Sequence, residues 1–187
     1  MVNQDRIKRK QLIREAEGYL DLMSVFEDRW KLEPHLAEVM AERVLVTLSQ
    51  IENPQGFQPE ILFLKGQAHR AIGRFNEAAG LLEQSRRLDP ENVSTILALA
   101  WCYKRLNRLG MAIEIMREAV LIDTESAIAH YNLACYLALD AHLKDAVHHL
   151  AIALEIDPKY RKLVTSETDF DSIRNTKEFQ AALSINV

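Results

Sequence analysis

Long apolar runs and a rich cysteine content are missing from this sequence of 187 residues. No run approaches the roughly 18 apolar residues that a membrane-spanning helix needs. The charged N-terminus is not followed by the apolar core of a signal peptide. The two cysteines, Cys102 and Cys135, have neither the number nor the spacing of a disulfide framework or a zinc site. We therefore expect reduced thiols, no membrane insertion and a cytoplasmic protein.

An excess of basic residues is also lacking. The formal net charge is −4 and the pI is about 5.9, whereas nucleic-acid binding depends on clustered lysine and arginine. Residues 1–15 are a local exception, with five basic and two acidic side chains. We interpret this stretch as the solvated face of a first helix, in preference to a membrane or RNA patch. The prediction is that nucleic acid is not a partner.

Sequence motifs for catalysis are absent as well. The six glycines form no phosphate-binding loop, and neither G-x-S-x-G nor H-E-x-x-H occurs. His148 and His149 are adjacent, so they point to different faces of a helix and make a poor metal site. We expect no enzyme, no cofactor and no metal. A hydrolase or metalloprotein built around the histidines is the alternative that metal analysis of the purified protein would test.

What the sequence does contain is an internal repeat. Small residues recur in three triplets, each offset by 34 positions from the last: Gly66, Ala78 and Ser85; Ala100, Ala112 and Ala119; Ala134, Ala146 and Ala153. Larger apolar residues keep this register in the columns Phe75, Leu109, Leu143; Leu82, Met116, Leu150; and Leu88, Ile122, Ile156. Asp89, Asp123 and Asp157 close three units, residues 59–92, 93–126 and 127–160.

These units resemble the tetratricopeptide repeat, a 34-residue helix-turn-helix with the pattern W-x2-L-G-x2-Y, then A-x3-F, then P. Pro90 and Pro158 match the final position. Lys65, His69 and His130 depart from the pattern, and we interpret them as local changes in helix packing. The resemblance implies an all-α protein: a right-handed solenoid of antiparallel helix pairs, in which each unit buries its apolar face on its neighbours.

The register predicts six helices in the three repeats, at about residues 60–72, 75–88, 93–106, 109–122, 127–139 and 143–156. Gly73 is expected to supply the left-handed residue that a helix C-terminus commonly needs. No stretch alternates with period two, so we expect no sheet.

Residues 1–58 are predicted to form a degenerate first helix pair, with helices at about residues 3–24 and 34–51. The small residues Ala16 and Ala37 are 21 positions apart where the regular units show 12, so the linker between these helices holds about nine additional residues. Phe26 and Trp30 in this linker either dock a partner or, as we prefer, cover the open end of the helix pair. The breaker NPQGFQP at residues 53–59 separates this pair from the regular array.

Residues 161–187 follow the last repeat. They contain one more helix, YRKLVTSE, and a second short element with Phe170, Ile173, Phe179 and Leu183 on its apolar side. This segment resembles the capping tail of many bacterial tetratricopeptide proteins, which implies a bacterial origin and a structural role at the open end of the stack. The whole chain is expected to form one continuous domain.

The resemblance also implies where a partner binds, because the first helix of each repeat lines the concave face in this family. The predicted partner-binding groove consists of Phe63, Gln67, Arg70, Leu97, Trp101, Lys104, Arg105, Tyr131 and Asn132. Phe63, Trp101 and Tyr131 are the expected anchors, since aromatic residues dominate protein interfaces. Arg70, Lys104 and Arg105 form a basic edge, so the expected partner segment carries apolar and some acidic side chains.

The predicted function is a non-catalytic adaptor or scaffold that binds a peptide or protein segment in this groove. The alternative is a chaperone of secreted substrates, similar to the small three-repeat chaperones of type III secretion, which an adjacent secretion operon would favour. A co-chaperone that clamps a C-terminal carboxylate is disfavoured, because Asn132 is the single match to the clamp residues of that subset. The sequence carries no prediction of the oligomeric state.

Overall fold

The computed structural model describes the backbone of residues 2–30 and 33–184, and the side chains of residues 4–25 and 33–184. Within these ranges every regular element is helical, which confirms the all-α prediction. No described helix combines the length and the apolar character that crossing a bilayer requires. The right-handed winding of the array stays a prediction.

Ten α-helices follow one another along the described chain, with one 3₁₀ turn, Thr168–Phe170, before the last of them. They are α1 Val2–Trp30, α2 Pro34–Ser49, α3 Gln58–Ala71, α4 Phe75–Leu88, α5 Val93–Arg105, α6 Leu109–Ile122, α7 Ala127–Leu139, α8 Leu143–Ile156, α9 Tyr160–Ser166 and α10 Lys177–Ser184. The six helices of the three repeats begin and end within two residues of the predicted positions.

The chain divides into two compact units, Met1–Cys102 and Tyr103–Val187. In the first unit, α2 packs against α1 and α3, and α3 packs against α4. In the second, α7 packs against α6, α8 and the 3₁₀ turn, while α8 also contacts α9 and α10. The boundaries expected at residues 58 and 160 stay predictions. The expectation of one continuous domain also stays a prediction.

All nine members of the small-residue columns are buried. A Cβ atom built on Gly66 of α3 would lie 2.7 Å from Cγ of Leu82 on α4, a distance that real Cβ contacts do not reach. Ser85 also has a specific role, because its hydroxyl donates a hydrogen bond of 2.7 Å to the carbonyl oxygen of Pro59. At these two contacts α3 and α4 therefore pack through the small residues that the repeat register predicts.

The turns inside the three helix pairs share one backbone feature. Gly73 has the predicted left-handed conformation, with φ of 76°. Asn107 and Ala141, which follow it at intervals of 34 residues, adopt the same conformation with φ of 58° and 59°. Residues other than glycine rarely adopt this conformation, because their Cβ atom crowds the following carbonyl oxygen. The repeat thus imposes this turn geometry even where the residue is unfavourable.

The additional residues near the N-terminus do not form the expected linker. Helix α1 does not end at Ser24 but continues to Trp30, so the inserted residues lengthen the helix. Their sequence contains neither glycine nor proline up to Pro34, which occupies the first turn of α2. The side chains of Phe26 and Trp30 lie outside the described residues, so their predicted covering or docking role stays untested.

The predicted breaker at residues 53–59 is tied to the side of α1. The Arg9 guanidinium donates a hydrogen bond of 2.9 Å to the carbonyl oxygen of Asn53. It also lies 6.0 Å from the centre of the Phe57 ring. Arg9 belongs to the basic stretch at the N-terminus, so at least this member has a structural role.

The C-terminal segment contributes two of the largest fully buried side chains, Phe170 and Phe179, whose ring centres are 5.4 Å apart. Arg174 holds the backbone before them in place, with its Nη1 and Nη2 atoms 2.9 and 2.5 Å from the carbonyl oxygens of Val164 and Glu167. Residues 160–184 are therefore packed as part of the second unit. Their predicted role in closing the open end of the array stays a prediction.

Candidate functional site

The described part of the first unit contains a cleft between α1 and α3 with a volume of about 600 Å³, which we call the α1–α3 cleft. Helix α1 lines one side and helix α3 the other, with the indole of Trp101 also on its surface. The lining residues are Glu17, Leu20, Asp21, Met23, Ser24, Phe63, Leu64, Gln67, Arg70, Ala71 and Trp101. Phe63, Gln67, Arg70 and Trp101 from the predicted groove therefore come together here.

Trp101 is half-buried and held between two neighbours. Its ring meets the Phe75 ring edge to face, with the ring centres 5.3 Å apart. The second neighbour is Arg70, whose guanidinium carbon lies 5.1 Å from the centre of the Trp101 ring. This distance is within the range of a cation–π interaction. Arg70 thus contacts the indole while it lines the cleft, and its part in the basic edge of the predicted groove stays a prediction.

A second, smaller cleft of about 350 Å³ adjoins the first and shares Glu17, Phe63 and Leu64 with it. We call the two together the acidic groove. The second cleft is also lined by Gly56, Pro59, Glu60, Asp89, Asn92 and Ser94. Burial, followed by the nearby Glu17 carboxylate, raises the pKa of the Glu60 carboxyl, while Lys10 acts in the opposite direction. This groove therefore gathers carboxylates that do not belong to the predicted set of groove residues.

Two polar atoms of residues that line the groove have no hydrogen-bond partner among the described residues, Nε of Arg70 and the side-chain oxygen of Gln67. The side-chain oxygen of Gln67 is buried and unpaired, although Gln67 as a whole is half-buried. An unpaired buried acceptor costs free energy unless a donor reaches it. A partner side chain with N–H groups would satisfy this oxygen.

The predicted anchor Tyr131 lies elsewhere, in the second unit, and it is not a surface residue. Its exposed fraction is 5%. The ring of Tyr160 lies 4.8 Å away between centres, and the ring of Phe170 meets it edge to face at 5.9 Å. Burial is the main cause that raises the pKa of the Tyr131 hydroxyl. The expectation of an exposed anchor at Tyr131 is wrong, because the C-terminal segment covers it.

Lys104, the second residue of the predicted basic edge, also has an intramolecular partner. Its ammonium forms an ion pair with the largely buried carboxylate of Asp169 in the 3₁₀ turn. It further lies 5.6 Å from the centre of the Tyr136 ring. The charge expected to face a partner is therefore neutralised within the second unit.

The three remaining groove predictions fall outside the acidic groove. Leu97 is half-buried on α5 and Asn132 is half-buried on α7, while Arg105 is exposed near the end of α5. None of the three lines either cleft of the acidic groove. Their part in partner binding stays a prediction.

The sequence interpretation missed the acidic wall of the groove. Glu17 and Asp21 are four residues apart on α1 and both line the α1–α3 cleft. Their spacing places them on one helical face, so the sequence held a usable signal. That signal could not be connected to the groove because α1 lies outside the regular register.

One stretch of the sequence matches a known protein family. Residues 69–134 match the family model described as tetratricopeptide repeat. Over these residues the chain is of the tetratricopeptide-repeat type. The matched stretch begins in the first regular unit and ends in the third, and it covers the second completely.

The chain also resembles one curated relative and several solved structures. It is 29% identical over 86 residues to the phagocyte signaling-impaired protein of Drosophila pseudoobscura pseudoobscura, a match that spans 45% of this chain and 9% of that relative. The structure of MamA AMB-1 in the P212121 form matches with a TM-score of 0.67 and 16% identity, covering 98% of this chain and 88% of that one. MamA 41-end from Desulfovibrio magneticus RS-1 matches with a TM-score of 0.60 and 17% identity, covering 90% and 93%. At these identities the structures establish a shared fold.

Three side chains that could each offer a metal ligand lie close together in the second unit. Among the described residues, Cys135, Glu167 and Asp169 bring one ligand atom each within 4.8 Å of one another. The Lys104 ammonium already pairs with Asp169. Burial raises the pKa of the Cys135 thiol, which disfavours the thiolate that metal binding requires. The residues therefore fit an internal ion pair better than a metal.

Proposed function

We propose that this protein is a non-catalytic interaction adaptor that binds a segment of a partner protein in the α1–α3 cleft. The observation that carries the proposal is the meeting of Phe63, Gln67, Arg70 and Trp101 in one cleft. The cleft is open and combines apolar, aromatic and polar groups, as a peptide site does.

Trp101 is the proposed anchor of this interaction. Its indole is half-buried, so it presents a fixed apolar surface that is already positioned by Phe75 and Arg70. Binding to a pre-positioned aromatic side chain loses little conformational entropy, and such residues dominate binding free energies. A cytoplasmic location, the absence of a cofactor and the absence of catalysis belong to the same proposal.

The test compares two variants of the first unit by pull-down from the native host with mass spectrometry. Trp101→Ala should lose the main partner, because truncating a central aromatic anchor costs about 2 kcal/mol or more. Leu88→Ala should retain it, since Leu88 is a large apolar side chain that is exposed on α4 and lines neither cleft.

Thermal melting by circular dichroism must accompany the pull-down, because Trp101 also packs on Phe75. Gln67→Ala is a second cleft variant in which little packing changes, and it should weaken capture. A folded Trp101→Ala protein that captures the same partner at full strength would overturn the proposal. Capture of an unfolded secreted substrate would support the chaperone alternative within the same cleft.

A further inference from the structure

The charge of the acidic groove has a consequence for the kind of partner that it accepts. Among the described residues that line its two clefts, the acidic ones are Glu17, Asp21, Glu60 and Asp89, and Arg70 is the single basic one. The Arg70 guanidinium lies over the Trp101 ring. The surface left for a partner is therefore dominated by carboxylates.

These carboxylates are not equally engaged inside the protein. Asp89 accepts a hydrogen bond of 3.3 Å from the Asn92 side chain. Glu17 and Glu60 lie near enough to each other for their repulsion to help raise the pKa of Glu60, with Lys10 as a partial counterweight. A cationic side chain placed between two such carboxylates lowers their repulsion and is attracted to both. Gln67 adds an unpaired oxygen that accepts from the same kind of donor.

Apolar groups line the groove beside these acceptors. Phe63 and Leu64 belong to both clefts, and Trp101 lies on the surface of the first. A segment that fills the groove therefore has to bring apolar area to Phe63 and Trp101 and positive charge to the α1 wall, where Glu17 and Asp21 lie.

We propose that the acidic groove selects a partner segment in which an apolar side chain is flanked by lysine or arginine. The inference rests on the proposed function and specifies the partner class for the same site. It differs from the expectation of acidic partner side chains, because four carboxylates and one guanidinium line the groove. Steering by the carboxylates also makes association dependent on salt.

The experiment selects binders from a random peptide library displayed on phage, with the full chain immobilised. Enriched peptides should carry lysine or arginine next to a leucine or an aromatic residue. The best peptide is then synthesised with a fluorescent label, together with forms in which its basic residues become glutamine or glutamate. Fluorescence anisotropy should show binding about tenfold weaker for the glutamate form at low salt, and a smaller difference at high salt.

Two matched double variants locate the effect. Glu17→Gln with Asp21→Asn should weaken the basic peptide about three- to tenfold and leave the glutamine form almost unchanged. Glu38→Gln with Glu42→Gln removes the same charge at the same spacing from α2, outside the acidic groove. That control should bind the basic peptide as the parent does.

The outcomes separate this inference from the proposed function. Enrichment of neutral or acidic peptides that Trp101→Ala fails to bind would overturn the basic preference and support the cleft. Basic peptides that bind Trp101→Ala and Gln67→Ala as well as the parent would place binding outside the cleft and overturn both. A library without enriched peptides would also overturn the inference.

Discussion

The Nδ1 atoms of His130 and His149 lie 3.0 Å apart, between helices α7 and α8. The Nε2 atom of His130 is 3.2 Å from the carbonyl oxygen of Thr124. Since a carbonyl oxygen only accepts, Nε2 of His130 carries the hydrogen and its Nδ1 is left to accept from Nδ1 of His149. The arrangement suits two neutral imidazoles with defined tautomers.

This pair predicts a loss of stability in mild acid. Burial, followed by the charges of His130 and His148, lowers the pKa of His149 to about 4, and burial also lowers the pKa of His130. In the unfolded chain these side chains titrate near 6.5. Below that pH the unfolded state binds more protons, so the free energy of unfolding falls from about pH 6.5 down to about pH 4.

The measurement is the melting temperature of the parent, His149→Gln and His35→Gln between pH 4 and pH 7.5. His149→Gln should show a smaller decrease on acidification than the parent, whereas the exposed His35 should have little influence. Equal pH dependence of the parent and His149→Gln would contradict the role of the pair.

A pair of glycine substitutions tests the helix contact in the first unit. Gly66→Ala places a Cβ atom 2.7 Å from Cγ of the fully buried Leu82, and we expect it to destabilise the protein by about 1–3 kcal/mol. Gly80→Ala adds a Cβ atom with no neighbour within 4 Å on the exposed side of α4. It should stabilise the protein by about 0.5–1 kcal/mol.

Urea denaturation followed by circular dichroism measures both glycine variants. The opposite signs are the essential result, since intrinsic helix propensity favours alanine at both positions. A stabilised Gly66→Ala protein would mean that Leu82 moves away at little cost.

We expect truncation of Lys104 to lower the stability of the protein, in addition to any effect on partner binding. Lys104→Ala leaves the mostly buried Asp169 carboxylate without its ion-pair partner, which we expect to cost about 1–3 kcal/mol. Arg117 and Asp145 provide an exposed control pair in the same unit, at 3.8 Å. Arg117→Ala should cost less than about 1 kcal/mol.

A double-mutant cycle in urea tests this explanation. Lys104→Ala combined with Asp169→Asn should be less destabilised than the sum of the single variants, since the asparagine carries no charge to be left unpaired. Additive effects would show that Lys104 and Asp169 are not energetically coupled.

The covering of Tyr131 by the C-terminal segment predicts a large effect of Phe170→Ala. Phe170 is fully buried and contacts both Tyr131 and Phe179, so its truncation should cost about 3–5 kcal/mol. Leu163→Ala, at a side chain that is 52% exposed, should change stability by less than about 1 kcal/mol. Differential scanning calorimetry of both variants is the measurement, and a Phe170→Ala protein with the melting temperature of Leu163→Ala would contradict the packing role.

The repeat period by itself determined the helix bounds in the repeats and the burial of the small-residue columns. Helices α4, α6, α7 and α8 have the predicted bounds, and the nine small residues are buried as the register requires. These features could be predicted because a 34-residue unit meets the same local packing constraint each time it occurs. Even the left-handed turn follows the register, although Asn107 and Ala141 gave no sign of it in the sequence.

The tertiary structure alone decided which candidate residues face solvent and which are engaged inside the protein. Tyr131 and Lys104 occupy regular repeat positions, but Phe170 and Asp169 cover or neutralise them from a segment that does not repeat. Lys104 and Asp169 are 65 residues apart, and no local period constrains such a contact. The acidic residues of α1 also lie outside the regular repeats, so only the folded chain shows that Glu17 and Phe63 line the same cleft.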